Sequence, residues 1–195
     1  RLDILYDVYD IFKATASDSS CERSFTSYLS TLFRDHFDFF HGAAIAANHS
    51  IFLHRLGTSE SIIQCVRSLG VKRPNIVGRP VIWFQHPLLA KSQNYHQLPP
   101  HQEWSNMQGS INGIVAWTPL NEISAEMGRL RISPNSHNCG LLPLQDPPPP
   151  HYPLGIDSNY LDKITFVESN ILPGDLLLFS PFLVHKSGFN KSSKV

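Results

Sequence analysis

Apolar residues in the first forty positions recur at helical spacing. Leu2, Leu5, Tyr6, Val8, Tyr9 and Phe12 share one face, and Ser17-Asp18-Ser19-Ser20 ends that pattern. Phe25, Tyr28, Leu29, Leu32, Phe33 and Phe37 continue the same period and predict a second helix from about Cys21 to Phe39. AAIAANHSIFLHR, between Gly42 and Arg55, predicts a third helix. SESIIQCVRSL predicts a fourth, with Thr58 as its N-cap and Gly70 as its C′ residue. These helices are expected to form a layer on one side of a sheet.

Beyond Pro74 the period shortens. NIVGRPVIWFQ, from Asn75 to Gln85, is β-branched and aromatic and predicts a strand that His86-Pro87 ends. A polar loop through Asn94 and Pro99-Pro100 leads to His101-Gln102-Glu103-Trp104, read as strand, and then to SINGIVAWTPL (Ser110 to Leu120). The second run is apolar enough for a strand buried on both faces. RLRI (from Arg129) and ITFVE (from Ile164) predict short strands, with turn chemistry in Ser133-Pro134-Asn135-Ser136-His137 between them. Four prolines, Pro147 to Pro150, exclude helix or inner strand and predict a surface excursion or a flap over a pocket. Pro173-Gly174 suits a type II turn, after which LLLFS and FLVH run through a bend at Ser180-Pro181 to His185. Short strands with Gly/Pro turns, following helices, predict an α+β, mainly β barrel or jelly roll with a helical flank.

Composition adds bounds. A chain of 195 residues suits a single domain over 1–195, with a helical flank over 1–70 and a β core over 75–195. Sixteen basic and sixteen acidic residues balance, which argues against a nucleic-acid or membrane-surface binder. Phe39 to His54, the longest charge-free apolar-leaning run, is interrupted by His41, Asn48 and His49 and is neither signal peptide nor membrane span. Cys21, Cys65 and Cys139 form no C-x-x-C pair, so a reduced, cytoplasmic compartment is expected. The sequence begins without methionine and stops in mid-pattern, so the chain is expected to continue past Val195. The oligomeric state is left open.

The candidate chemistry lies in His101 and Glu103. On an extended strand positions i and i+2 face the same way, so imidazole and carboxylate can meet one ion. His185 supplies a third ligand, giving the two-His, one-carboxylate triad that leaves positions open on non-haem Fe(II). The triplet alone is weak evidence, since ten His and sixteen acidic residues produce an H-x-[DE] about 0.8 times by chance. His36-Phe37-Asp38 is such a chance match, placed on a predicted helix where i and i+2 diverge by about 200°. His137 is assigned to turn structure, and His96 is a candidate substrate contact.

The blocks HQEW, GSINGIVAWTPLNEISAEMGRLRISPNSHNCG and LPGDLLLFSPFLVHKSGFNKS resemble the phytanoyl-CoA dioxygenase family. The likeness lies in order and combination: an H-x-[DE] strand, W-x-P-L, E-x-G-x-L-x-[IV]-x-P-x-S-H, then G-D-x-x-x-F and H-x-S-x-x-N. It covers roughly residues 75 to 195, and the helices before them more faintly. The resemblance implies a double-stranded β-helix that uses Fe(II), 2-oxoglutarate and O2 to hydroxylate a small-molecule substrate, releasing succinate and CO2. His101, Glu103 and His185 match its iron ligands. Ser187 matches a residue that bonds the distal carboxylate of 2-oxoglutarate, and Trp117 and Gln85 match positions lining the co-substrate pocket. Read without the resemblance, Ser187 is a turn serine and Trp117 core packing. The family arginine that pairs 2-oxoglutarate is expected at position 196, and the family's usual Asp is Glu103 here. A carboxylate at 103, where halogenating relatives carry Ala or Gly, implies hydroxylation without halide. The rival readings are a cupin-like metal protein, either a sugar isomerase or a metal-dependent binding protein, and a purely structural interaction domain.

Overall fold

The computed structural model describes residues 2–15, 25–89, 98–148 and 152–195. They form two compact units, residues 1–84 with 194–195, and residues 85–193. Helices α1 (Leu2–Thr15), α2 (Phe25–Asp35), α3 (Phe37–Ala47), α4 (Ile51–Gly57) and α5 (Glu60–Ser68) build the first unit. Its core is aromatic: Phe40 packs on Phe33 at 4.5 Å and on Phe12 and Phe84 at 5.6 Å between ring centroids. Val8, Leu29, Leu32 and the alanines of α3 fill the space around these rings. The small side chains let α1 and α2 approach α3 closely, and the Tyr28 hydroxyl donates to the Phe12 carbonyl at 2.7 Å.

Two helix predictions need correction. The helix expected to run to Phe39 breaks at His36, whose φ of −142° is not helical, so His36 is the N-cap of α3 and not a mid-helix residue. The helix expected from Gly42 to Arg55 breaks at Asn48–Ser50, where hydrogen bonds tighten to His49 N–Ala46 O and Ser50 N–Ala47 O. Asn48 is spent on a distant partner, its Oδ1 accepting the Ile82 amide at 2.7 Å. Ser59, not Thr58, precedes α5, because the Thr58 hydroxyl turns back to the His54 carbonyl at 2.9 Å. Gly70 takes the C′ role, with φ +95° and its amide on the Arg67 carbonyl. Residues 81–84 alternate, Ile82 and Phe84 inward and Val81 and Trp83 outward, but the stretch 75–85 pairs with no strand among the described residues. The Ile82 amide that a ladder would use is already committed to Asn48. Cys21, Asn94 and His96 lie outside the described residues.

The second unit holds one helical turn, α6 (Trp104–Met107), and short strands: β1 (Val115–Trp117), β2 (Arg131–Ile132), β3 (Val167–Glu168), β4 (Leu177–Phe179) and β5 (His185–Lys186). β1 pairs antiparallel with β4, and the order β3-β2-β5 makes a second antiparallel sheet. The fold is thus mixed α+β, with small antiparallel sheets. The run from Ser110 to Leu120 is mostly not strand, because Gly113 closes a turn on the Ser110 carbonyl at 2.8 Å. Nor is it buried on both faces, since Ala116 is exposed. Pro173-Gly174 forms the expected turn, with Gly174 at φ +106° and the Asp175 amide on the Leu172 carbonyl. The described prolines of the polyproline run, Pro147 and Pro148, lie exposed.

One contact draws β2 and β5 together. Gly128, at φ +80°, crosses Gly188 so closely that a Cβ on Gly128 would stand 2.7 Å from the Gly188 carbonyl carbon. A Cβ on Gly188 would stand 2.4 Å from the Arg129 carbonyl oxygen. The Lys191 amide then reaches the Glu126 carbonyl at 2.7 Å.

Candidate metal centre

His101 and His185 face each other as a backbone bridge. Each amide donates to the other's carbonyl, at 3.0 and 3.1 Å, so the two side chains leave on one face. Their rings stand 4.2 Å apart. Glu103 arrives by a route the sequence did not predict. Its backbone is helical, φ −62° and ψ −23°, at the entry to α6, so residues 101–104 are a bridge followed by a helical turn and not one strand. The turn folds the carboxylate back, and Glu103 Oε1 lies 3.3 Å from His101 Nε2 and 3.4 Å from His185 Nε2.

The segment is held from both ends. The Trp104 amide donates to the Pro181 carbonyl at 3.0 Å, and the Trp104 ring stacks on Phe182 at 5.0 Å. Gln102, only 1% exposed, makes three bonds to two chain segments. Its Nε2 donates to the Gly140 carbonyl at 2.8 Å and the Phe182 carbonyl at 2.6 Å, and its Oε1 accepts the Leu142 amide at 2.8 Å. Ser136 Oγ accepts the Val184 amide at 2.8 Å and so fixes the residue before His185. The sequence marks Ser136 only as part of a turn and assigns Gln102 no role. Gln102 reads as the filler of an H-x-E triplet, and only its burial reveals the fastening.

Both imidazoles are oriented for ligation. His101 Nδ1 donates to the Pro99 carbonyl at 2.7 Å and His185 Nδ1 to the Leu183 carbonyl at 3.0 Å. Those bonds set the two ring orientations and turn each Nε2 toward Glu103. All three ligating atoms lie within 4.8 Å of one another. Cis donors about 2.1 Å from one ion stand about 3 Å apart, so the donor set fits a divalent cation with little movement. Burial alone would raise the Glu103 carboxyl, but hydrogen bonds from His101 and His185, and their charge, hold it far below the usual carboxylate range. Burial lowers His185, more than its bond to Glu103 raises it. A neutral imidazole and an ionised carboxylate are the forms that bind a metal.

A pH dependence follows for the metal-free protein. The folded His185 value lies below its ordinary one, so the unfolded chain binds that proton more readily. Stability is full above about pH 6.5 and declines as the pH falls through the histidine range. Glu103, also depressed, adds a second loss below about pH 4.3. The melting temperature should therefore fall between pH 7 and 5.5. His86, lowered first by burial, acts in the same direction, so the His185→Asn variant should flatten the slope only in part. An unchanged slope in that variant would place the titration elsewhere.

The remaining candidates lie on other segments of the same unit. Phe179 of β4 packs edge-on against the His185 ring at 5.0 Å, and the neighbouring strand β1 carries Trp117, half-buried and opposite Leu177. The Ser187 amide donates to the Leu98 carbonyl at 3.2 Å. Gln85 is half-buried, and its backbone carbonyl accepts Asn190 Nδ2 at 2.8 Å. His137 stays in an exposed turn. Tyr152 was not predicted. Its ring stands edge-on to His101 at 5.0 Å, and burial, then the charge of Glu103, push its phenol upward.

No helix among the described residues is long and apolar enough to cross a membrane. Cys65 and Cys139 are free and exposed. No curated protein matches the chain. The family model for phytanoyl-CoA dioxygenase (PhyH) matches residues 15–195, nearly the whole chain, with the His-Glu-His cluster inside the match. The chain therefore belongs to the phytanoyl-CoA dioxygenase family, within the Fe(II)- and 2-oxoglutarate-type oxygenases.

Proposed function

We propose that the chain is an Fe(II)- and 2-oxoglutarate-dependent dioxygenase that hydroxylates a small molecule. One observation carries this: two histidines tethered through Nδ1 turn their Nε2 atoms onto one carboxylate oxygen, at 3.3 and 3.4 Å. A structural histidine pair has no need of that convergence, whereas a two-His, one-carboxylate iron site requires it. Family membership supports the same chemistry. In this proposal the chain is one oxygenase domain over 1–195, with a double-stranded β-helix from 75 onward, acting in the cytoplasm.

When bound, iron and 2-oxoglutarate supply the oxidation: one O2 oxygen enters succinate as CO2 leaves, and the other enters a substrate C–H bond. The protein contributes placement. His101 and His185 present neutral nitrogen donors, and Glu103 supplies a negative charge against the cation. Gln102 and the Trp104–Phe182 stack keep the three ligand-bearing positions rigid. Ser187, Trp117 and Gln85 are assigned to the co-substrate, Ser187 to its distal carboxylate. The balanced charge of the chain leaves the substrate class open.

The test is to load the protein anaerobically with Fe(II) and 2-oxoglutarate, admit oxygen and measure succinate against a panel of metabolites. Succinate formation that needs all three components and rises with one panel member is the expected result. Stoichiometric metal uptake without any 2-oxoglutarate consumption would overturn the proposal in favour of a cupin-like metal protein.

A further inference from the structure

Tyr152 has no part in the ligand set, yet it is built into the site. Its carbonyl accepts the Gly155 amide at 3.4 Å, closing a short turn. That turn is docked on the residues leading into the triad: the Ile156 amide donates to the Pro100 carbonyl at 2.9 Å, and Gly155 is bridged to His101. The Gln145 amide reaches the Gly155 carbonyl at 2.9 Å and ties the turn from its other side. The ring is thereby held edge-on against the imidazole of His101, 5.0 Å away.

The hydroxyl is the unexplained part. A half-buried tyrosine ordinarily gives its O–H to a protein acceptor. Among the described residues Tyr152 has none. Backbone pairing also fixes which side of the site it serves. His101 is bridged to Gly155 on one edge and to His185 on the other, and His185 in turn pairs with Ile132. Tyr152 therefore belongs to the edge opposite the His185–Ser187 segment, where the co-substrate carboxylate is proposed to sit.

We propose that Tyr152 is a specificity-determining residue whose hydroxyl donates a hydrogen bond to an oxygen acceptor on the prime substrate, beside His101. The substrate class is then a molecule carrying a carboxylate, carbonyl or hydroxyl oxygen near the C–H bond that reacts, in preference to a plain hydrocarbon chain. The assignment rests on the oxygenase reading above.

The test uses Co(II), which reports ligand binding through its absorption without turnover, and formate as the smallest carboxylate probe. Wild type and Tyr152→Phe are each titrated with Co(II), then 2-oxoglutarate, then formate. The Phe ring keeps the contact with His101, so Co(II) and 2-oxoglutarate affinities and melting temperature should not change. Formate should bind the variant about tenfold or more weakly, the size of one hydrogen bond to a charged acceptor. Equal formate affinity in both proteins would overturn the role of Tyr152. Weakened 2-oxoglutarate with unaltered formate would overturn it too, moving the hydroxyl to the co-substrate. A wild-type protein that takes up no Co(II) would instead sink the metal-site reading, and this assignment with it.

Discussion

Replacing His101 or His185 by alanine is expected to remove stoichiometric Fe(II) binding while the protein still folds. Each substitution deletes one of three donors, and losing even an outer-sphere partner of a metal ligand weakens affinity by about 10- to 100-fold. Direct removal of a ligand should exceed that, so uptake at micromolar metal should vanish. Both rings are nearly fully buried, and alanine leaves a cavity that costs roughly 2–4 kcal/mol. Glu103→Gln provides the control. Its side chain is 22% exposed, its shape is kept, and only the charge and one acceptor are lost. Metal analysis after desalting, beside a melting curve, reads both effects. One iron per chain in either alanine variant would show that the histidine concerned is not a ligand.

Gln102→Glu should be the most damaging substitution that touches no proposed ligand. The amide assignment is unambiguous, because Nε2 faces two carbonyls and Oε1 faces an amide. A carboxylate places an acceptor 2.8 and 2.6 Å from two other acceptors in a site that is 1% exposed. Two carbonyls lose their donor, and the buried charge keeps only the Leu142 amide, for a loss of about 3–5 kcal/mol. Gln102→Leu removes the charge problem yet strands the same carbonyls and the Leu142 amide, so it should fall between wild type and Glu. Denaturant unfolding measures both. A Glu variant within about 1 kcal/mol of wild type would mean that the three bonds are not what fastens the site.

The sequence chose the three converging residues for a reason that holds only in part. The i, i+2 argument assumed a strand, whereas Glu103 reaches the site through a helical turn and His101 through a bridge to His185. The pairing survived the change of backbone because His101 stays in the bridge and only Glu103 turns helical, its carboxylate folding back to 3.3 Å from His101 Nε2. Gln102 was illegible for the opposite reason. Its partners, Gly140, Leu142 and Phe182, lie between 38 and 80 positions away, and no local period encodes such contacts. Tyr152 was hidden behind the prolines, which announce an irregular segment but not what its far end packs against. The strands are shorter than the apolar runs promised because turns such as Ser110–Gly113 consume residues that hydropathy alone counts as strand. Helix content came through better, since a 3.6-residue period is local, though its breaks depended on a side chain, Asn48, with a remote partner.

The crossing of Gly128 over Gly188 bears on how such a scaffold can be re-engineered. Two backbones in van der Waals contact act as a rivet: the residues on either side can vary only if the joint itself stays bare. Gly188 lies three positions after His185, and Gly128 four before Ile132, its pairing partner in the sheet. Any side chain at the rivet would push apart the layer that holds one ligand in register. Gly42, Gly57 and Gly78, by contrast, look into open space and leave the chain free to change. Exchange of substrate specificity by loop transplantation should therefore carry both glycines as one cassette.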